Sequence, residues 1–495
     1  MSATTGFFHG VKTTQVPTAI VPPRTVMSAL PIVFGCAPIH RLSAEYQAKV
    51  MPGKIALVYG LAEAGVRLGI DVQRDGFEHW TLSEMAYSHF SLFNVSPVVF
   101  VNLFDPAKHQ KAVTAETVAF TGSRGKLAHP DIVGNVVLTP DGGGDPYVYG
   151  VDYFVNIVTG EITIMDDGAM ATVNQASAAY SYAAPELVTA DECIGGYDVV
   201  TGITTGISLV DDAFPRFREI PSIAIAPKFS EDPTVAAVMA SKMGAVNGIF
   251  RGVAIADIPS DGANAITLYT DVPEYKQRNN LVSEDLYLCW PKIKFGEKVM
   301  RMSTQAASRI AATDADNNNI PYASPSNKNL QMTACVAGDE EIFLDLNRAN
   351  YLNGNGIATA LNFVDGWKLW GNRMACYPDV TDPKDTFLTA RRMMAWYGNR
   401  LILTWWQKID WPMTRRLVQT VVNSEQINLN SLVAGEYLHG GRITFVQEEN
   451  SVADLIDGQV TFHVYLGLVP PAERILFKLE YDTDYIQTLF SAAAA

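Results

Sequence analysis

Two hydrophobic periods alternate along this chain, and their order suggests an architecture. Toward its end Val460, Phe462, Val464, Leu466 and Leu468 alternate with Gln459, Thr461, His463, Tyr465 and Gly467. That is the period of two of a strand with one buried face. After Pro470 and Pro471 the alternation resumes, with Ile475, Phe477, Leu479 and Tyr481 set against Leu476, Lys478, Glu480 and Asp482, and it continues through Ile486 and Leu489. Chain ends are usually polar and frayed unless something ties them down. An apolar, alternating end calls for a sheet to join, in its own domain or in another copy.

The first part of the chain reads differently. Residues 1–24 are polar and Thr-rich and close on Val21, Pro22 and Pro23. They predict an extended arm, since proline disfavours helix in the residue before it. Residues 31–37 (Pro-Ile-Val-Phe-Gly-Cys-Ala) and 97–103 (Pro-Val-Val-Phe-Val-Asn-Leu) are short continuous apolar runs, as expected of strands buried on both faces of a parallel sheet. A helix over 82–93, capped by Thr81 or Ser83, would complete a βαβ start.

Between 114 and 184 the helical period vanishes. Tyr147, Tyr149, Val151, Tyr153 and Val155 alternate, and the turn at 158–161 leads into Ile162, Thr163 and Ile164, a hairpin signal. Tyr180 and Tyr182 mark a further strand. This stretch predicts a small all-β domain inserted into an α/β body. The α/β pattern then returns, with strands at 222–226, 253–257 and 285–290 and a helix opened by Asp232 and Pro233. A helix over 304–313 leads into a polar loop at 314–328. Asp382 and Pro383 open a helix whose stripe is Phe387, Ala390, Met394, Tyr397 and Leu401. Another begins after Trp411 and Pro412, carrying Met413, Leu417 and Val421, and Ser451 with Asp454 resembles a capping box.

Composition narrows the function classes. At 495 residues the chain is too long for one core. Its 48 % hydrophobic and 18 % charged content suits a globular protein. The formal charge of −15 argues against nucleic acid as the main partner. Residues 1–10 lack a basic start and an apolar core, so no signal peptide is expected, and no stretch has the roughly 18 apolar residues of a membrane helix. Cys36, Cys193, Cys289, Cys335 and Cys376 are widely spaced and odd in number, which suits buried reduced thiols.

Catalytic motifs are missing: no GxSxG, HExxH, GxxxxGK[ST], or GxGxxG after a strand. The glycines at 142–144 read as a hairpin tip. Asp314, Asp316 and Asn318 imitate a calcium loop, but Asn319 and Pro325 stand where glycine and a bidentate glutamate are needed. The eight histidines form no i, i+4 pair. No catalytic residue, metal ligand or cofactor is therefore assigned. Trp396, Trp405, Trp406 and Trp411 form an aromatic cluster that suits a core or a subunit interface. Around them Arg391, Arg392, Arg400, Lys408, Arg415 and Arg416 face the single acid Asp410. These six are either a solvated helical face with ion pairs or a basic surface for an acidic protein partner.

Taken together, these stretches resemble the tail sheath protein of contractile-tailed bacteriophages. The resemblance is carried by Gly10 and Val11, by 21–23, by 31–38, by 97–106 (Pro-Val-Val-Phe-Val-Asn-Leu-Phe-Asp-Pro), by the tyrosine-rich 147–164, and by Ala226-Pro227 with Asp232-Pro233. Leu288-Cys-Trp-Pro291, Asp410-Trp-Pro412, Gly440-Gly441 and Pro470-Pro-Ala-Glu-Arg474 complete it. The family's central domain is described as subtilisin-like in fold. With no protease triad here, no activity is carried over.

The resemblance implies an α/β (α+β multidomain) chain. Its parts would be an N-terminal arm (1–24), the first part of the α/β body (25–106), an inserted β-sandwich (107–195), the central α/β domain (196–378), a C-terminal α+β domain (379–470) and an exchanged C-terminal strand arm (471–495). It implies a structural subunit that stacks as hexameric discs around an inner tail tube and contracts to drive the tube through the host envelope. The partners would be copies of itself, the tail tube protein, and baseplate and tail terminator proteins, with no nucleic acid and no membrane insertion. Its place would be the virion tail, assembled in the host cytoplasm. Phe8, Val11, Thr13 and Val16, with Ile475, Phe477, Leu479, Tyr481, Ile486 and Leu489, would add strands to neighbouring subunits. The six basic residues would face the tube or an adjacent subunit. The sheath of a phage-derived bacteriocin or an extracellular contractile injection system is the alternative. A type VI sheath fits less well, being built from two shorter chains, and an α/β enzyme with a β insertion is the distant third reading.

Overall fold

The continuous apolar runs become the middle of a nine-stranded sheet. A computed structural model describes residues 21–483. Six parallel strands lie in the order Ile357–Asn362, Leu286–Cys289, Val253–Asp257, Ile223–Ile225, Pro31–Gly35 and Val98–Asn102. Five of them, at 31–35, 98–102, 223–225, 253–257 and 286–289, are buried at every position. Their side chains meet helices on both faces, which is why no polar alternation is visible in them. Antiparallel strands close the sheet at both sides: Ile55–Val58 beside Val98–Asn102, and Trp367–Trp370 with Lys328–Asn329 beyond Ile357–Asn362. The βαβ reading of the first hundred residues therefore missed one strand. Ile55–Val58 belongs to the crossover and turns back as an edge.

The helix expected over 82–93 is present, as α-helix Thr81–Ala86 running into a π-helical stretch, Tyr87–Leu92. Its cap is not Thr81 or Ser83, since both lie inside the helix. The Thr81 hydroxyl accepts instead from the Cys36 backbone N–H at 3.0 Å, and Gly35 is the residue type that leaves Thr81 room there.

The inserted region folds as two three-stranded antiparallel sheets. One pairs Gln175–Ala183 with Gln110–Ala119 and Ile132–Pro140, and the other pairs Glu161–Ile164 with Arg124–Lys126 and Tyr153–Asn156. A separate core between them includes Val118, Leu138, Tyr153, Ile162 and Tyr180. The 147–155 alternation is a strand only from Tyr153 on. Gly150 takes φ +85° and breaks the run. The Asp152 carboxylate accepts from the N–H groups of Val148 and Ala169, both at 2.7 Å, folding 148–152 into a turn with Tyr149 and Val151 exposed.

The C-terminal region is built on two long helices, Leu388–Trp405 and Arg415–Ala434, packed with the antiparallel pair Gly440–Thr444 and His463–Gly467. The cap residues behave as the sequence suggests. Asp232 and Asp382 each accept from the N–H two residues on, and Ser451 accepts from that of Asp454. The stripe of Leu388–Trp405 is corrected, because Met394 is exposed while Met393, Trp396 and Tyr397 are buried. Asp314 is also corrected. It closes the buried helix Met302–Ala315 and is itself buried, so it is no part of a solvated loop.

Candidate assembly surfaces

The two sides of the Leu388–Trp405 helix explain the basic residues. Arg392 is 4 % exposed and Arg400 is 6 % exposed. Arg392 forms a two-pronged pair with the Asp314 carboxylate and donates to the Ser28 carbonyl at 3.0 Å. Ser28 Oγ donates to the same carboxylate at 2.6 Å. Arg400 pairs with the buried Glu425 of the second helix at 3.5 Å and lies against the Tyr397 ring. Glu425 also accepts from Tyr397 and Trp405. Arg391 is bound by Asp285 at 2.8 Å and Asp385 at 3.1 Å.

Two of the six basic residues are thus internal fasteners, because a buried guanidinium persists only where carboxylates and carbonyls meet its donors. Arg391, partly buried, is spent on local acids as well. Lys408 lies over the Trp411 ring at 3.4 Å. Arg415 and Arg416 open the second helix and are exposed. The structure leaves Lys408 on the Trp411 turn and Arg415 and Arg416 at the exposed start of the second helix, and places Arg392 and Arg400 inside.

Beside this turn the surface is apolar. Trp406, Ile409 and Trp411 are each more than half exposed. An open groove of about 400 Å³ follows, walled by Trp405, Ile409, Met413, Leu417, Val421 and Phe462. The sequence reading found the tryptophans but not the groove. Its signal was the doublets Leu417-Val418 and Val421-Val422, a wider apolar face than one packed neighbour needs.

The hairpin at the groove's floor has two strands only, and neither outer edge pairs with another described strand. Two strands alone are marginal in water, and open edges are templates for added strands. The described chain enters beside the two long helices. The Val21 N–H donates to Ser424 Oγ at 3.2 Å, the Arg24 N–H to Thr404 Oγ1 at 3.1 Å, and Trp396 Nε1 to the Val26 carbonyl at 3.1 Å. At the other end Glu473 is gripped by Arg373, whose guanidinium lies 3.8 Å from the Phe387 ring centre. Beyond Glu473, Ile475, Leu476, Phe477, Leu479 and Tyr481 are 67–96 % exposed, in a stretch without secondary structure. Phe8, Val11, Thr13, Val16, Ile486 and Leu489 lie outside the described residues.

The third reading, an enzyme, directs attention to the C-terminal ends of the parallel strands. An open crevice of about 590 Å³ lies there, lined by Glu231, Asp261, Tyr275 and Arg278 among others. Its acids are already engaged: Glu231 with Arg301 at 3.1 Å, and Asp261 with Lys292. Arg301 is buried, and although burial opposes its charge, Glu84, Glu231 and Glu78 hold its pKa well above the ordinary value. Burial pushes Glu84 up to about 7 against the pull of Arg301, and Asp257 up to about 6 against hydrogen bonds from Ser303. This network ties the first part of the body to the helix Met302–Ala315. All five cysteines are free and buried. Burial pushes Cys36 and Cys335 up to about 12 and Cys376 to about 11, away from a reactive thiolate. Among the described residues no three of His, Cys, Asp and Glu converge as a metal site, and no helix is long and apolar enough to cross a membrane.

A family described as a protein of unknown function matches residues 83–190. The tail sheath protein of Burkholderia phage BcepMu is 28 % identical over 498 residues, covering 98 % of each chain. A putative prophage major tail sheath protein of Pseudomonas aeruginosa (strain UCBPP-PA14) is 28 % identical over 61 % of this chain and 76 % of its own length. Among solved structures, the PVC sheath complex of an extracellular contractile injection system, in the contracted state, superposes with a TM-score of 0.57, covering 98 % of this chain and 100 % of that one at 14 % identity. At that identity the likeness is one of fold. The resemblance to contractile tail sheath proteins thus holds from end to end, in sequence with the phage protein and in fold with the injection-system sheath.

Proposed function

We propose that this chain is the structural subunit of a contractile sheath, polymerising with copies of itself around an inner tube. One observation in the structure carries the reading. Among the described residues, the C-terminal hairpin leaves both edges open, while residues 475–481 form an exposed apolar stretch that pairs with no strand. Each copy can therefore supply what its neighbour lacks. Main-chain hydrogen bonds between an arm and a hairpin edge would join subunits, with the arm leaving the body after Glu473, which Arg373 holds.

A sheath that contracts needs rigid bodies and compliant joints. Rigidity would come from the buried pairs Arg392–Asp314, Arg400–Glu425 and Arg301–Glu84. Compliance would reside in the arms. Lys408, Arg415 and Arg416 would face the tube or an adjacent subunit, with Arg391, Arg392 and Arg400 withdrawn from that role. Hexameric discs, a baseplate signal and passage of the tube through a host envelope complete the proposed cycle. The relationship with a phage protein favours a virion tail over an injection system, and the relatives' structural role favours a non-enzyme.

Electron microscopy of the purified full-length chain tests the proposal. Hollow tubes with sixfold end views are the expected result, and compact monomers at every concentration would overturn it.

A further inference from the structure

A small hairpin, Gly196–Asp198 paired with Ile203–Thr205, holds its tip still and leaves it bare. The Asp198 carboxylate accepts from the Val200 N–H at 2.8 Å and from the Thr201 hydroxyl at 2.7 Å, and the Gly202 N–H donates to the Asp198 carbonyl at 2.8 Å. At the base, Gly195 and Gly206 take φ +59° and +61° and pass so close that a Cβ on either would strike the opposing backbone. Ile203 rests against Gly53, in the turn before the edge strand Ile55–Val58. Asp198 and Gly202 thus make the turn. The side chains of Val199 and Val200, 82 % and 89 % exposed, have no part in it. Turns favour Gly, Asn, Asp and Ser, whereas β-branched residues suit strands. Two valines on a rigid tip break the local rule without a local gain.

The same chain carries a matching hole. The groove of about 400 Å³ beside the Trp411 turn is walled by apolar side chains and has room for both valines. Charge matches as well. Residues 186–205 hold Glu186, Asp191, Glu192 and Asp198 and no basic residue. Lys408 lines the groove, and the helix along its wall opens with the exposed Arg415 and Arg416. Opposite charges of this kind steer and register a contact.

Position decides which copy supplies the tip. The hairpin stands at the C-terminal ends of the parallel strands. Glu192, in the helix Ala190–Ile194 that leads into it, bonds His109 at 3.1 Å, beyond the strand Val98–Asn102. The helix Leu388–Trp405 stands at the N-terminal ends. There Arg392 holds Ser28 ahead of Pro31–Gly35, and Asn399 holds Arg251 ahead of Val253–Asp257. A five-residue strand, about 17 Å long, separates the two levels. A tip at one end and a groove at the other meet head to tail between copies. Such a contact extends as an open helical array when its rotation does not close a ring.

We propose that Val199 and Val200 of one subunit seat in the groove of a second copy of this chain, with the acids of residues 186–198 set against Lys408, Arg415 and Arg416. This contact rests on the proposed sheath and adds to it a joint between globular bodies. The arms tether the copies, while tip and groove fix the angle at which the bodies dock. A compact contact on a rigid post can release and reseat as a unit while the arms stay joined.

The test uses the full chain, whose native cysteines are all buried. Chains carrying Val200→Cys and chains carrying Met413→Cys are mixed, allowed to assemble and oxidised. The expected product is a disulfide-linked dimer that forms in the mixture and in neither variant alone, and a ladder of higher oligomers when one chain carries both substitutions. Three results overturn the proposal: no bond between the two positions, a bond only within one chain, or preferential coupling of Met413→Cys to Phe477→Cys, which would assign the groove to the C-terminal arm. A second readout avoids cysteine. Val199→Ser with Val200→Ser should leave Tm within about 2 °C, because both side chains are exposed, and should raise the concentration needed for assembly at least tenfold. Unchanged assembly contradicts the contact. Cross-links are scored on soluble oligomers as well as on tubes. Tubes without the bond overturn this contact and leave the sheath standing, whereas the bond without tubes supports the contact and counts against the sheath.

Discussion

Arg392 offers the sharpest test of how the body is fastened. Its guanidinium and the Asp314 carboxylate are both buried, and their pairing joins three separate parts of the chain: the entering strand at Ser28, the helix Met302–Ala315 and the helix Leu388–Trp405. Replacing Arg392 by Met keeps the aliphatic volume and leaves Asp314 buried with only the Ser28 hydroxyl. Breaking one side of a buried pair costs about 3–5 kcal/mol. For a cooperative unit of 150–250 residues each kcal/mol lowers Tm by about 2–4 °C, so a fall of roughly 6–20 °C is expected. The double variant Arg392→Met with Asp314→Leu should recover part of it. The native pair is imperfect, since Arg392 Nε has no partner, and removing both charges leaves the Ser28 hydroxyl and carbonyl without these partners, at about 1 kcal/mol each. Calorimetry and urea unfolding of wild type, both single variants and the double variant measure the cycle. A single variant within 1 °C of wild type, or a double variant no better than the worse single, would refute the reasoning.

Arg415→Glu with Arg416→Glu should change stability by less than about 0.5 kcal/mol, because both side chains are exposed, yet should lower assembly on the tube at least tenfold; unchanged assembly returns these residues to a solvated face. The pH dependence has a definite sign at Asp257. Its folded pKa is raised from 3.8 to about 6, chiefly by burial, so the folded state holds a proton that the unfolded state has lost between those values. Its contribution to stability is therefore full below pH 3.8 and is lost as pH rises toward 6. Asp257→Asn should flatten that part of the urea-midpoint profile, and an unaltered slope contradicts the assignment.

What the sequence disclosed and what it concealed divide along physical lines. Strands buried on both faces, such as Pro31–Gly35 and Val253–Asp257, announce themselves as apolar runs between turns, and the caps Asp232 and Asp382 announce helices. The edge strand Ile55–Val58 was passed over because it is only four residues long and sits inside the crossover between two longer apolar runs. The basic stretch misled for a different reason. Sequence counts charges but does not show their partners, and Asp314 and Glu425 lie 78 and 25 residues from Arg392 and Arg400. The same buried arginines hid the true face of the Leu388–Trp405 helix, whose stripe looked polar where it is most enclosed. The exposed C-terminal alternation was legible from the start. The groove was not, because it is made by three elements and belongs to no single periodic stretch.

The central claim is that copies of this chain are joined through their ends. Deleting residues 478–495 tests it most directly, since it removes Leu479 and Tyr481, 96 % and 80 % exposed, and leaves the buried clusters of the described residues intact. Electron micrographs of the truncated chain, beside the full-length chain at the same concentration, should show compact folded particles and no tubes. Normal tubes from the truncation would contradict the account.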